Sequence, residues 1–170
     1  GEQLMVWLRA LAESGGVYNQ KAYNDEFLAH FGYGGTYTGY IDRATRGTLD
    51  NLSTGDTDTP QGAEDVQLPA ISKLPALVAA GQDSHAMEAV RTTNASKIAE
   101  LYGAVATEML IVARDGGSVA EVVDAAVDTA DPCILPRLEL ARAATDRSNP
   151  DLTSELGLAC ELENGVPSVL

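Results

Sequence analysis

The sequence predicts an all-α fold, a compact orthogonal array of about eight helices. Apolar residues recur at helical spacing along most of the chain, and glycines or N-cap residues stand at the ends of these runs. We find no alternation of period two that is longer than four residues, and no internal repeat that would indicate a solenoid. We expect one helical domain over residues 1–170. The apolar pattern is still running at Val169 and Leu170, so we expect this domain to be part of a longer chain.

The first part of the chain predicts three helices. Apolar spacing indicates a helix from Gln3 to Glu13, which the Ser14-Gly15-Gly16 run ends. Asn19 is a predicted N-cap for a second helix from Gln20 to Phe31, and Asp42 for a third helix through Leu52. Residues 53–66 are polar and predict a loop, which is long enough to suggest a functional role.

The second part predicts further helices, with prolines and capping residues as their boundaries. Residues 67–80 have helical spacing, but Pro69 and Pro75 predict a late start or a bend. Asn94 is predicted to open the helix with the clearest apolar spacing, which Gly116-Gly117 ends. The other expected elements are a short helix from Ser84 to Thr93, a helix that starts with a Ser118–Glu121 capping box, a helix from Asp131-Pro132 to near Thr145, a turn at 148–150 and a short helical or irregular tail.

Composition excludes several functional classes. Eleven basic and 25 acidic residues give a net charge of −14, which disfavours binding to nucleic acid or to an anionic membrane. No run approaches the roughly 20 apolar residues of a membrane span, and no leader pattern is visible, so we expect a soluble, intracellular protein. Cys133 and Cys160 lack the spacing of a zinc site, and we expect two reduced, mostly buried thiols rather than a disulfide.

The loop at 55–59 contains the candidate metal ligands. Asp56, Asp58 and Thr59 are close enough in sequence to converge on one Mg²⁺ or Ca²⁺ ion, because hard cations take oxygen ligands from such short segments. A solvated, aspartate-rich turn explains the same residues, and the pattern is not that of an EF-hand. Both interpretations remain open.

Aromatic residues and glycines alternate between positions 32 and 40. Tyr33, Tyr37 and Tyr40, interleaved with glycines such as Gly35, form an aromatic wall for a base or sugar in one interpretation. In the other, the rings close over the end of the helix array. His30 lies on an apolar helix face and is predicted to be a hydrogen-bonded packing residue. We find no motif for a serine or cysteine nucleophile and no phosphate-binding loop.

The order of four stretches resembles a known family. They read YGGTYTGYIDRATRGTLDNL, GAEDVQLPAISKLPALVA, EAVRTTNASKIAELYGAVATEML and LGLACELENGVPSVL. In this order they resemble the ADP-ribosylglycohydrolase family, particularly its J1-crystallin-like branch, over nearly the whole chain. The resemblance implies an all-α fold and hydrolysis of ADP-ribosyl bonds with two Mg²⁺ ions. It also implies that ADP-ribose or an ADP-ribosylated protein is the partner.

The resemblance also indicates where a site would lie. The family's Thr-Asp-Asp and Asp-x-Asp-Thr metal motifs are expected outside this chain, so we expect the chain alone to be inactive. Residues 56–59 spell Asp-x-Asp-Thr, but earlier than the family places it and ahead of Pro60 rather than a helix. A non-catalytic, crystallin-like scaffold that assembles with other subunits is the alternative. The expected substrate-binding residues are Tyr33, Gly35, Tyr37, Gly62, Glu64, Asp65 and Gln67. Glu64 and Asp65 also have a simpler interpretation, because negative charge ahead of a helix stabilises the helix dipole.

Overall fold

The computed structural model describes residues 1–55, 58–144 and 146–170. The predicted all-α class is confirmed, because this part of the chain contains no β-strand and only two isolated bridges, Ala63 with Asn94 and Gln67 with Glu161. Short 3-10 helices cover Asp83–His85 and Pro167–Val169. The α-helices are α1 (Glu2–Glu13), α2 (Gln20–Phe31), α3 (Arg43–Leu52), α4 (Pro69–Ser72), α5 (Leu74–Ala79), α6 (Ala86–Arg91), α7 (Lys97–Arg114), α8 (Val119–Thr129), α9 (Leu135–Arg142), α10 (Asn149–Leu156) and α11 (Leu162–Gly165).

Helix α7 is the centre of the array. It packs against α4, α5, α6, α8 and α11, while α1 packs against α2 and also contacts α4 and α5. Trp7, Tyr23 and Tyr102 are the largest fully buried aromatic side chains, and the Trp7 and Tyr23 rings stack with centroids 4.4 Å apart. Burial of these rings and of the aliphatic side chains around them provides the main favourable free energy of folding.

Several helix starts agree with the predicted capping residues. The Asn19 side chain accepts a hydrogen bond from the Ala22 amide, and Asp42 accepts one from the Thr45 amide. Ser118 and Glu121 form both bonds of a capping box. Each such cap typically contributes about 1 kcal/mol to the free energy of unfolding, which explains why the local sequence was informative here.

Other boundaries differ from the prediction. Ser96, not Asn94, caps α7 through a bond from the Ala99 amide, because the Asn94 side chain is buried in long-range contacts. The Asp131 carboxylate accepts the Cys133 amide in a turn, so α9 begins only at Leu135 and ends at Arg142.

The predicted turn at 148–150 is the start of α10, with Ser148 as its cap and a proline in its first turn. The predicted end of the preceding helix near Thr145 falls outside the described residues. As expected, prolines divide the 67–80 segment, into α4 and α5.

Both cysteines are free, as predicted, but Cys133 and Cys160 are exposed rather than buried. Cys133 lies in the turn before α9 and Cys160 in the connection before α11, where no helix covers them. In the described part of the chain, no helix combines the length and the apolar character that crossing a membrane requires.

Candidate functional site

The centre of the candidate site is the cleft segment, residues 62–67, which is hydrogen-bonded on both sides. On one side the Gly62 amide donates to Arg91 O at 2.8 Å, and the Ala95 amide donates to Ala63 O at 2.7 Å. On the other side the Leu162 amide donates to Val66 O at 2.8 Å. A Cβ at position 62 would collide with the Arg91 carbonyl, so this close approach requires glycine.

Asp65 is the most constrained residue of the cleft segment. Its side chain is only 1% exposed, and Oδ2 accepts a bond from Arg43 Nε at 2.5 Å. Oδ1 accepts the Gln67 amide at 2.7 Å and, more weakly, Asn94 Nδ2 at 3.4 Å. These bonds compensate the cost of burying a carboxylate. Asp65 therefore holds the segment and Arg43 in place, which leaves little of its carboxylate for a ligand.

A buried polar chain continues from Asp65 into the core. Asn94 is fully buried and donates to Asp65 O and to Gln67 O, both at 3.2 Å. Its Oδ1 accepts the Thr93 hydroxyl at 2.7 Å, and Thr93 Oγ1 in turn accepts a bond from Lys73 Nζ.

Lys73 is the unusual member of this chain, because its side chain is completely buried. Its Nζ also donates to Pro69 O at 2.8 Å. Desolvation lowers the pKa of Lys73 well below its ordinary value of 10.5, while the negative charge of Asp42 acts in the opposite direction. No carboxylate in the described part of the chain forms an ion pair with Lys73, which is consistent with an amine that loses its proton easily.

The cleft segment faces an open cleft of about 500 Å³, which we call the Arg43 cleft. Glu64 and Lys97 are exposed at this cleft, and within the described residues neither forms a hydrogen bond or an ion pair. The Arg43 side chain is 61% exposed. The lining residues are Arg43, Glu64, Asp65, Val66, Ser96, Lys97 and Ile98.

The predicted aromatic residues lie elsewhere, around a second cleft of about 280 Å³ that we call the Tyr37 cleft. The Tyr37 ring meets Phe31 edge-on at 5.5 Å, and its hydroxyl donates to Tyr40 O at 3.2 Å. Tyr33 is fully exposed and lines neither cleft, so the three tyrosines do not form one wall. A Cβ on Gly35 would collide with the His30 carbonyl, next to the bond from the Tyr37 amide to His30 O.

His30 has the structural role that the sequence predicted. It is 6% exposed, its Nε2 is 2.8 Å from a Glu2 carboxylate oxygen, and its Nδ1 is 2.9 Å from the Thr36 hydroxyl. The ring therefore ties the start of α1 to the end of α2. Glu2 was not recognised as a partner, because it lies 28 positions away and nothing in its local sequence marks the contact.

The predicted substrate-binding residues are thus divided between two places. The structure brings Glu64 and Asp65 together at the Arg43 cleft, where Gly62 and Gln67 support the segment from outside the lining. The Gln67 side-chain oxygen is buried without a hydrogen-bond partner. Sequence reasoning missed Arg43, Ser96 and Lys97, because residues from three distant stretches form this cleft and no local motif connects them.

The predicted metal loop is only partly described. Asp56 lies outside the described residues, so its convergence with Asp58 and Thr59 stays a prediction. Thr59 O accepts a bond from Asn24 Nδ2 at 3.0 Å, and Thr59 Oγ1 accepts one from Gln61 Nε2 at 2.7 Å. Across residues 1–55, 58–144 and 146–170, no three His, Cys, Asp or Glu side chains are arranged to hold a metal ion.

We compared the chain with protein-family models, with curated proteins and with solved structures, and none of these comparisons gave a match.

Proposed function

We propose that this is an ADP-ribosylglycohydrolase-like protein, which binds ADP-ribose or an ADP-ribosylated protein at the Arg43 cleft and whose complete form hydrolyses ADP-ribosyl bonds. The observation that carries the proposal is the pair of cationic side chains at this cleft, which balance the carboxylates of Glu64 and Asp65. Although the protein has a net charge of −14, two cationic side chains, Arg43 and Lys97, stand at one opening beside the segment that resembles the family's ligand-binding stretch.

Arg43 is suited to bind a diphosphate. Asp65 holds its Nε, while the terminal guanidinium nitrogens make no hydrogen bond within the described residues. A guanidinium presents a planar set of donors that matches phosphate oxygens, and one fixed at Nε loses less side-chain entropy when a ligand binds. Lys97 adds a second positive charge on the same cleft. Together they balance the charges of Glu64 and Asp65, so the cleft itself is not negative although the protein is.

Glu64 is the carboxylate of this cleft that has no partner in the described part of the chain. An exposed carboxylate beside two cations is placed to accept hydrogen bonds from ribose hydroxyls, or to take a proton from a water molecule. In the proposal Asp65 is a positioning residue, which acts through Arg43 rather than by touching the ligand.

The resemblance assigns two Mg²⁺ ions to the hydrolytic reaction. The described residues do not supply a set of carboxylates for such a centre. In the proposal, Asp56, Asp58 and Thr59 bind Mg²⁺ without reproducing the family's dinuclear site. Titration of Mg²⁺ into the protein and into an Asp56→Asn/Asp58→Asn variant tests this, because equal heats for both would remove the loop from any metal site.

Calorimetric titration of ADP-ribose, with and without Mg²⁺, tests the binding proposal. We expect saturable binding that Lys97→Gln weakens by about fivefold, which corresponds to about 1 kcal/mol, the size of one exposed charge contact. The matched control is Lys21→Gln, which removes an exposed lysine of α2 outside this cleft. Absence of ADP-ribose binding under both conditions, or equal effects of the two variants, would overturn the proposal.

A second candidate function is a non-catalytic, crystallin-like scaffold or subunit. The observation that favours it is an almost purely apolar groove of about 360 Å³ between α4, α5, α7 and the end of the chain. Its lining includes Ile71, Pro75, Met109 and Leu110. Such a surface suits contact with another protein. Light scattering over a concentration series would show a larger species, which Leu110→Glu dissociates; a monomer at all concentrations, or an unchanged species in Leu110→Glu, would contradict the scaffold function.

A further inference from the structure

We propose that the Tyr37 cleft binds a small organic cation, an alkylammonium or a guanidinium group. The inference does not depend on the proposed function, because the Tyr37 cleft and the Arg43 cleft share no lining residue. It rests on three features of the cleft, which are its aromatic rings, its carboxylates and its size.

Aromatic rings form one part of the lining. Phe31, Tyr37 and Tyr40 all contribute to it. The face of an aromatic ring attracts a cation through its quadrupole, and this attraction increases when the cation is partly desolvated. The Tyr40 ring already makes a cation–π contact at the rim, where the guanidinium carbon of Arg46 lies 5.9 Å from the ring centroid.

Two carboxylates, Asp42 and Glu2, line the same cleft. Asp42 accepts bonds from the Thr45 amide at 2.8 Å and the Thr45 hydroxyl at 3.0 Å, but it forms no ion pair within the described residues. A carboxylate offers about four acceptor positions, so Asp42 retains the capacity to bind a cation. One oxygen of Glu2 is bonded to His30, and the Glu2 side chain is 49% exposed.

The positive charges near this cleft do not fully neutralise its two carboxylates: besides the Gly1 amino group, which lines the cleft, the nearby cations are Arg46 and Lys73. Arg46 donates to Ile41 O at 2.7 Å and stands over the Tyr40 ring at the rim. Lys73 is buried behind the cleft, and its depressed pKa reduces the positive charge that it presents to Asp42. The net charge of −14 adds an attraction of longer range for any cation.

The size of the cleft restricts the ligand. Its volume of about 280 Å³ is slightly below the range of about 300–1,000 Å³ for pockets that take drug-sized ligands. A quaternary ammonium or a guanidinium head group fits such a space. Tyr40 is 79% exposed, so the opening is accessible from solvent, and the cation is either a free small molecule or the end of a side chain.

The test compares choline with 3,3-dimethylbutan-1-ol, a neutral molecule of the same shape. We expect choline to shift the ring proton resonances of Tyr37 and Tyr40 in a saturable way, and to bind at least about fivefold more tightly than the alcohol. Equal binding of the two compounds would mean that the cleft is only an apolar depression, and would overturn the proposal. Titration with N-acetylarginine amide distinguishes a protein side chain from a free quaternary ammonium as the preferred ligand. A preference for either ligand agrees with the proposal. The proposal is contradicted if neither choline nor N-acetylarginine amide binds.

Asp42→Asn is the decisive variant. Asparagine caps a helix about as well as aspartate does, so α3 is expected to remain folded while the cleft loses a negative charge. Asp50→Asn is the matched control, because Asp50 is an exposed residue of the same helix and its loss changes the net charge equally. We expect choline affinity to fall about fivefold only in Asp42→Asn. Equal affinities in the two variants would overturn the proposal.

Repeating the titration with Gly1 acetylated removes the amino group that lies at the mouth of the cleft. Loss of choline binding to the acetylated protein would also contradict the proposal.

Discussion

The two clefts differ in charge balance and in construction, although adjacent residues contribute to them. Arg43 lines one and Asp42 lines the other, on either side of the start of α3. The Arg43 cleft is built on buried hydrogen bonds to the cleft segment, whereas the Tyr37 cleft is built on contacts between aromatic rings. A chain with a large negative net charge therefore presents one cleft in which cations and carboxylates balance and another in which carboxylates are in excess.

This difference has an energetic consequence. Hydrogen bonds to buried groups are costly to leave unmade, because the group that loses its partner is not solvated. When one of two partly exposed rings in contact is substituted, the loss in the free energy of unfolding is smaller. Substitutions that act on the buried polar chain should thus have larger effects on stability than comparable ones at the Tyr37 cleft.

The largest effect is expected for Asn94→Leu. This change removes the donors to Asp65 O and Gln67 O and leaves both buried carbonyls without that partner. We expect a loss of about 3 kcal/mol in the free energy of unfolding, measured by urea denaturation. Asn51→Leu is the matched control, because Asn51 also donates to two carbonyls of this region but is exposed. Equal losses in the two variants would show that burial does not set the cost.

The pH dependence of stability depends on Lys73. Because its pKa is lowered in the folded state, the unfolded chain binds more protons between that lowered pKa and 10.5. The free energy of unfolding therefore rises with pH across this window. The buried charge of Lys73 lowers it most at the acidic end of the window. Relative to Lys73→Met, the wild-type protein should gain up to about 1.4 kcal/mol per pH unit. Urea denaturation at several pH values below 10 measures this, and parallel profiles for the two proteins would contradict it.

Arg43→Gln tests whether the clefts are independent. Arg43 is the ion-pair partner of the buried Asp65 carboxylate, so we expect the free energy of unfolding to fall by about 1–2 kcal/mol. ADP-ribose affinity should fall about fivefold or more, since the guanidinium is the proposed phosphate donor. Choline affinity should not change. A parallel loss of both affinities in calorimetric titrations would mean that the two clefts form one coupled site.

The smallest effect is expected for Tyr37→Phe. This change removes one exposed hydrogen bond to Tyr40 O and keeps the ring against Phe31. The free energy of unfolding should fall by about 0.5 kcal/mol, and choline affinity should be retained because the ring carries the cation contact. If choline no longer bound to this variant, the hydroxyl rather than the ring face would be the important group.

Sequence reasoning predicted the parts of the fold that depend on local interactions. Apolar spacing predicted the helices, and the caps at Asn19, Asp42 and Ser118 were correct, because each cap involves residues three positions apart. The prediction that Asn94 caps a helix was wrong, because its contacts are not local. Its residue type suits a cap, but its partners lie in the cleft segment, far away in the sequence.

The candidate site was only partly predictable. The resemblance pointed to Glu64 and Asp65, which the structure places at one cleft. It gave no indication that Arg43 and Lys97 would join them, because the fold alone brings these stretches together. Burial was also misjudged where no helix covers the chain, as the exposed Cys133 and Cys160 show.

The bonding of the cleft segment also bears on the order of folding. Its partners are Arg91 and Ala95 on one side and Leu162 on the other, so its geometry depends on residues near the end of this chain. Closing such long loops costs entropy before any contact is gained, which delays the formation of non-local structure. During synthesis, α1 and α2 can pair early, whereas the Arg43 cleft takes shape only after the last helices have been made. A truncation before Leu162 should therefore retain helices but lack this cleft.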